Sequence, residues 1–293
     1  MTVSGTGFGI GSSQVTLIAS NTSVIKSVQF TVSPKADSMT RPLSETYSND
    51  YLTARGDLQA GTGKIFLPVY KLYANATNGV TLTYAFTDGS SKRGTTTITT
   101  AAFDDPCGYD KPTILQARTN STALSYGYIL IKGSCDSYSP AVIDTDGALR
   151  WVGPGGFSTP HTTFFDNALY IAQNTSLYRI ELDGIVTFLH DYSDIGVVAF
   201  HHNIDRGKTG IILGVNTAAH KESVNLEVDG AGNVVKMWDT VDVITNAMIA
   251  GGDDPSQFVV PSSEDWFHNN AVAYNRVDDS LLEVVSKVGW EGG

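Results

Sequence analysis

Hydrophobic and polar residues alternate along much of the first hundred positions, as in β-strands with one buried face. In S-V-Q-F-T-V, Val28, Phe30 and Val32 lie on one side and polar residues lie on the other. The run V-T-L-T-Y-A-F (80–86) repeats this pattern, and the turn T-D-G-S-S-K leads from it into G-T-T-T-I-T-T, which indicates a hairpin. About seven short strands predict an immunoglobulin-like β-sandwich over residues 1–100.

A turn-rich stretch containing D-D-P-C-G-Y-D-K-P follows, and we interpret residues 101–119 as a linker. From residue 120 a unit recurs that consists of an apolar strand, a strand ending in D-G, and a polar strand. The first three copies begin at Gly127, Asn167 and Thr209, and a period of about 40 residues with four strands per copy is typical of a β-propeller.

The fourth copy begins at Asp279, after a longer interval. We explain that interval by an insertion at roughly 240–263 with a helix-like start, which either shapes a site at one rim or forms a plain surface loop. Residues 120–293 then hold about four blades. The predicted fold class is all-β, a sandwich followed by a partial propeller.

The candidate chemistry lies in the histidines. His161, His202 and His268 precede the apolar strand of the next copy by six, seven and eleven residues. In a propeller these positions converge on the central channel, and three imidazoles there suit anion binding, acid–base or nucleophilic chemistry. The alternative is that they join neighbouring blades by hydrogen bonds.

The remaining three histidines are predicted to lie elsewhere. Strand alternation places His201 on the face opposite His202. His190 and His220 fall out of phase with the repeat, so we expect both to face solvent.

Composition excludes several classes of function. A formal charge of −11 argues against nucleic acid and anionic membranes as partners. No run of 18 apolar residues is present, so no membrane span is predicted. Cys107 and Cys135 fit either one disulfide of an exported protein or two free thiols. Without a CxxC or HExxH pattern, neither a metal nor another cofactor is predicted.

Four stretches together carry a resemblance to a known family. They are I-F-L-P-V-Y-K-L-Y-A-N-A-T-N-G-V-T-L-T, A-V-I-D-T-D-G-A-L-R-W, A-F-H-H-N-I-D-R-G-K-T-G-I-I-L and D-W-F-H-N-N-A-V-A-Y-N-R-V-D-D-S-L-L. In these stretches the chain resembles bacterial arylsulfate sulfotransferases, the type that does not use a nucleotide sulfate donor. The resemblance implies a six-bladed propeller in an exported, periplasmic or extracellular, protein.

The resemblance also implies a reaction and a site. A sulfuryl group leaves an aryl sulfate ester, rests on a histidine as a sulfohistidine, and passes to a phenol. His268 matches the histidine of a W-x-H-x-N motif and His202 matches one in an earlier blade, so both are expected to bind sulfate or act as acid–base residues. His161, Asn270 and Lys287 are expected to contact the substrate.

Two departures from the family pattern limit these expectations. Where the family has a sulfate-binding arginine in S-S-R-H, this chain has Ser286, or Lys287 after a one-residue shift, and lysine lacks the bidentate fork of arginine. The family's nucleophilic histidine lies about two blades beyond the position of His268. We therefore expect a truncated relative, with about four of six blades and no sulfuryl transfer.

Other readings stay open. The chain could be a non-catalytic propeller that binds a ligand or partner, or a hydrolase or lyase on the same scaffold, because fold alone does not determine function. Exposed blade edges favour association, so a homodimer is one expectation for the oligomeric state.

Overall fold

The computed structural model describes residues 2–4, 12–119, 124–132, 135, 139–157, 159–257 and 267–288. The chain divides into two compact units, residues 1–131 with 135–156, and residues 132–134 with 157–293. Within the described ranges strands dominate, which confirms the all-β class. No helix among those residues is long and apolar enough to cross a membrane.

The first unit contains two four-stranded sheets with orders β1-β2-β6-β5 and β4-β3-β7-β8. As predicted, Val28, Phe30 and Val32 are all fully buried. Phe30 packs edge-on against Tyr70 of the other sheet, with ring centroids 5.2 Å apart. The elements are β1 (Thr2–Ser4), β2 (Ser12–Ile18), β3 (Ile25–Val32), β4 (Leu43–Ser48), α1 (Asn49–Ala54), β5 (Leu58–Gln59), β6 (Lys64–Tyr70), β7 (Thr77–Phe86) and β8 (Ser91–Thr99).

A third, three-stranded sheet also belongs to the first unit, with order β11-β10-β9. Its strands are β9 (Tyr128–Ile131), β10 (Ala141–Asp144) and β11 (Leu149–Val152). The sequence assigns this segment to the propeller domain, and the predicted boundaries at 100 and 120 stay predictions. A disulfide joins Cys107 to Cys135, which decides between the two alternatives that the sequence left open.

An ion pair is buried in this sheet. Arg150 Nη1 lies 2.9 Å from Asp144 Oδ2, and the two side chains are 1% and 0% exposed. Arg150 also donates to the backbone carbonyl of Lys71 through Nη2, at 2.6 Å. These bonds satisfy a guanidinium that would otherwise be costly to bury.

The second unit contains two four-stranded antiparallel sheets, each in chain order, and a two-stranded hairpin. This is the strand arrangement of propeller blades, while the number of blades stays a prediction. The elements are β12 (Thr162–Phe165), β13 (Ala168–Gln173), β14 (Ser176–Glu181), β15 (Val186–Asp191), β16 (Val197–Arg206), β17 (Ile211–Thr217), β18 (Val224–Val228), β19 (Val234–Asp239), α2 (Thr240–Gly251), β20 (Phe267–Asn275) and β21 (Ser280–Val288).

Helix α2 occupies the start of the predicted insertion. Asp239 caps its first turn by accepting from Val241 N, and Gly252 ends it in the left-handed conformation with φ 85°. Both devices are usual at helix ends. Residues 258–266, which include Trp266, lie outside the described part of the chain.

The phase of the repeat differs by one strand from the prediction. The apolar strands that the sequence took as first are the second strands of their sheets, β13, β17 and β21. The histidine-bearing strands β16 and β20 are first in their sheets and pack against each other. Bulges interrupt both strands, so their alternation is hard to detect in the sequence.

Candidate functional site

A bulge in β16 brings two consecutive histidines to one pocket. Phe200 pairs with Val215 and Ile204 pairs with Leu213, so three residues of β16 lie opposite Gly214 of β17. His202 takes a left-handed backbone conformation, with φ 47°. Such a conformation costs a non-glycine residue about 1–3 kcal/mol and is common at functional sites.

This bulge corrects the expectation that His201 faces away from His202. Both side chains line the same pocket, and their ring centroids are 5.4 Å apart. Strict alternation holds only for a regular strand, and the extra residues of the bulge break it.

His268, in β20, completes a group of three imidazoles. Its ring centroid lies 4.7 Å from that of His202, with an interplanar angle of 68°. The register of β20 with β21 shifts on both sides of Asn269. Bulges in both neighbouring strands therefore orient the side chains of the site.

A carboxylate that the sequence did not single out lies between two of these rings. Oε2 of Glu222 is 2.6 Å from Nδ1 of His268 and 3.3 Å from Nε2 of His202. Glu222 lies between β17 and β18 with φ 56°, and its backbone N–H donates to Asn216 Oδ1 at 2.6 Å. The local sequence around Glu222, A-A-H-K-E-S, is that of an ordinary polar loop, and no pattern in it distinguishes this residue.

His201 is the most buried of the group, with only 7% of its surface exposed. Among the residues that the structure describes, neither ring nitrogen has a hydrogen-bond partner of normal geometry. Burial, followed by the neighbouring His202 and His161, lowers the pKa of His201 to about 4, which a weaker interaction with the backbone of Val215 opposes. The ring is therefore neutral at pH 7.

Side-chain amides line the other wall of a small pocket. Asn269 is 1% exposed, and neither its amide nitrogen nor its oxygen has a partner among the described residues. Asn225 donates to Glu283 Oε1 at 3.1 Å, while its own oxygen has no partner in the same part of the chain. The pocket has a volume of about 10 Å³, room for about one water molecule. Unsatisfied buried polar atoms are rare and indicate a site that a ligand or water completes.

The structure brings together part of the predicted site. His202 and His268 are neighbours, and Asn270 lines the pocket beside them. The pKa of His161 is lowered by burial first and then by the charge of His202. The backbone of Lys287 pairs with that of His268, but its side chain lies outside the described part.

The two remaining histidines each pair with a carboxylate away from this group. His190 Nε2 lies 3.2 Å from Asp194, and its side chain is 34% exposed. His220 Nδ1 lies 2.6 Å from Asp239 and is only 16% exposed. The prediction that His220 faces solvent is therefore wrong, because this pairing holds it against β19.

One combination of side chains has the donor types of a metal site. Three donor atoms lie within 4.8 Å of one another: one ring nitrogen of His201, one of His202 and one carboxylate oxygen of Glu222. Two imidazoles and one carboxylate form a common ligand set for zinc. Among the residues that the structure describes, no further group of this kind is found.

Comparison with protein families gives two matches. The model of the arylsulfotransferase (ASST) family matches residues 115–286, and that of the arylsulfotransferase Ig-like domain matches residues 11–101. No individually curated protein matches the chain. The first match covers more than half of the chain and includes every residue of the histidine group. The chain therefore belongs to the arylsulfotransferase family and carries that family's Ig-like domain at its N-terminal side.

Proposed function

We propose that the chain binds an aryl sulfate ester at the histidine group, as part of the transfer of its sulfuryl group to a phenol. The observation that carries this proposal is the contact between His202 and His268 on adjacent strands, with ring centroids 4.7 Å apart. Both lie within the segment matched by the family model. Membership of the arylsulfotransferase family supports this class of reaction.

The chemistry requires groups that stabilise negative charge. When the bond between sulfur and the aryl oxygen breaks, charge builds up on the leaving phenolate and on the sulfuryl oxygens. Imidazole N–H groups at His202 and His268 donate to these oxygens, and an imidazolium can protonate the phenolate. The side chains of His202 and His268 are only 31% and 27% exposed. The effective dielectric constant around them is therefore lower than in water, which strengthens such interactions.

Glu222 orients both rings for this task. For its carboxylate to accept from each, His268 carries a proton on Nδ1 and His202 carries one on Nε2. A hydrogen bond to one ring nitrogen determines which atom faces the substrate. In the proposed site, the other nitrogen of each ring faces the ester, and it donates to a sulfuryl oxygen when the ring is an imidazolium with both nitrogens protonated.

The transfer itself proceeds through a histidine. Its ring nitrogen attacks sulfur and forms the N–S bond as the S–O bond breaks and the phenolate leaves. The oxygen of a phenol then attacks sulfur, the N–S bond breaks, and a base takes the phenol proton. The family resemblance places the carrier histidine about two blades beyond the position of His268. We therefore propose that His202 and His268 bind the ester, and that residues 1–293 alone do not turn it over.

The disulfide between Cys107 and Cys135 supports an exported location, because such bonds persist in oxidising compartments. We therefore place the reaction in the periplasm or outside the cell.

The test is binding of p-nitrophenyl sulfate, measured by calorimetry in buffer with EDTA. We expect His202→Ala and His268→Ala to weaken binding at least about tenfold, the loss of one charged hydrogen bond. His190→Ala serves as the control, since it removes an imidazole away from the group, and it should bind as the parent does. Equal binding by parent and both site variants would refute the proposed site.

Release of p-nitrophenol, followed with a phenol acceptor present, tests the second part. We expect no turnover by residues 1–293. Robust transfer that is lost in His268→Ala would show that the carrier histidine lies within this chain.

A further inference from the structure

We propose that His201, His202 and Glu222 bind one divalent transition-metal ion of the zinc type. Their donor atoms already lie within 4.8 Å of one another. His202 Nε2 and Glu222 Oε2 are 3.3 Å apart. Two ligands on a tetrahedral zinc ion with bonds of about 2.0–2.1 Å are separated by roughly this distance. Binding of one ion by all three side chains therefore requires a shift mainly of the His201 ring.

The buried ring of His201 is a second observation that favours a metal ligand role. His201 is 7% exposed, and neither ring nitrogen makes a hydrogen bond of normal geometry within the described part of the chain. It lines the same pocket as His202. A buried donor or acceptor without a partner costs about 1–3 kcal/mol, and a metal ion bound through one nitrogen removes part of that cost.

Two of the three proposed ligands have a strained backbone conformation. His202 and Glu222 have φ values of 47° and 56°, both in the left-handed region. Strained residues persist where the surrounding structure requires them, often at functional sites. Here the strained positions belong to two of the three proposed ligands.

The donor set determines the class of metal. Two imidazole nitrogens and one carboxylate oxygen suit Zn²⁺ and similar transition metals, whereas Ca²⁺ and Mg²⁺ prefer oxygen ligands. Three protein ligands leave one tetrahedral position for water or an anion, as in catalytic zinc sites.

His268 supports this site from outside it. Its Nδ1 lies 2.6 Å from Glu222 Oε2, a hydrogen-bond distance that is too short for two ligands of one ion. Hydrogen bonds of this kind fix the orientation of a ligating carboxylate and typically contribute 10–100-fold to metal affinity.

The proposal is tested on tag-free chain stripped with EDTA and dialysed. Titration with Zn²⁺ in a calorimeter should show one ion per chain, and Co²⁺ should give visible absorption bands of a low-coordinate site. His202→Ala and Glu222→Gln should each lose more than about 100-fold in affinity, and His268→Ala about 10–100-fold. Circular dichroism and thermal melting verify that each variant is folded.

The chain provides a matched control. His190→Ala disrupts a histidine–carboxylate pair outside the site, and this variant should bind metal as the parent does. Absence of saturable binding, or binding unchanged in both His202→Ala and Glu222→Gln, would overturn the proposal. Because ester binding is measured with EDTA present, the metal proposal and the proposed function can fail separately.

Discussion

Nδ1 of His268 lies 2.6 Å from Oε2 of Glu222, although one residue belongs to strand β20 and the other to the loop before β18. The same oxygen is 3.3 Å from His202. Glu222 thus orients both imidazoles in the proposed ester site and is itself a ligand in the proposed metal site.

Glu222→Gln should weaken binding of both proposed ligands. It removes the carboxylate that orients His268 and His202, so ester affinity should fall about tenfold, the effect of losing one charged hydrogen bond. Zinc affinity should fall as well, because a neutral amide is a poorer metal ligand than a carboxylate. Calorimetry with each ligand measures both. Asp194→Asn, in the exposed pair with His190, is the control, and an unchanged affinity for either ligand would contradict the role of Glu222 in binding it.

Gly214→Ala should displace His201. A Cβ at this position would come 2.8 Å from Cε1 of His201 and 3.1 Å from its backbone oxygen. We expect a loss of about 1–3 kcal/mol in the free energy of unfolding, as for other overpacked sites, together with weaker zinc binding. Urea unfolding and Co²⁺ absorption measure the two effects. Gly94→Ala in β8 meets no atom within 4 Å and should cause neither.

Arg150→Ala should destabilise the first unit strongly. It leaves the Asp144 carboxylate, which is 0% exposed, without its cation, and breaking a buried pair in this way costs about 3–5 kcal/mol. Denaturant unfolding measures the loss. Lys208→Ala removes the cation of an exposed pair with Asp279 and should have no measurable effect. Similar losses in the two variants would show that burial does not determine the difference.

Lys71→Met should stabilise the protein at neutral pH. Burial is the largest of the effects that lower the pKa of Lys71 to about 8; Glu45 raises it and Arg150 lowers it further. Between about pH 8 and 10.5 the unfolded chain keeps a proton that the folded chain has released, so parent stability rises with pH in this window. The variant lacks this dependence.

The free energy of unfolding of Lys71→Met should therefore exceed that of the parent most below pH 8, by at most about 3 kcal/mol. This difference should shrink as the pH rises to 10.5. The contact of the Lys71 ammonium with the Tyr128 ring, 4.5 Å from its centroid, offsets part of it. Thermal melts over this pH range provide the measurement. Lys64→Met, at an exposed position, is the control, and a difference between parent and Lys71→Met that does not vary with pH would argue against a depressed pKa.

The sequence alone determined the features that depend on local pattern. Alternation at Val28, Phe30 and Val32 identified a strand and its buried face. The recurring D-G turns identified repeated antiparallel sheets. Such patterns are readable because side-chain direction in a regular strand follows from position along the chain.

Only the tertiary structure decided how the site is assembled. The bulge that puts His201 beside His202 adds residues to β16 relative to β17, a relation between two strands that neither strand reveals by itself. Glu222 joins His202 and His268 from a loop that carries no motif. Both features depend on how separate elements pair and pack, and side-chain alternation within one strand contains no information about such contacts.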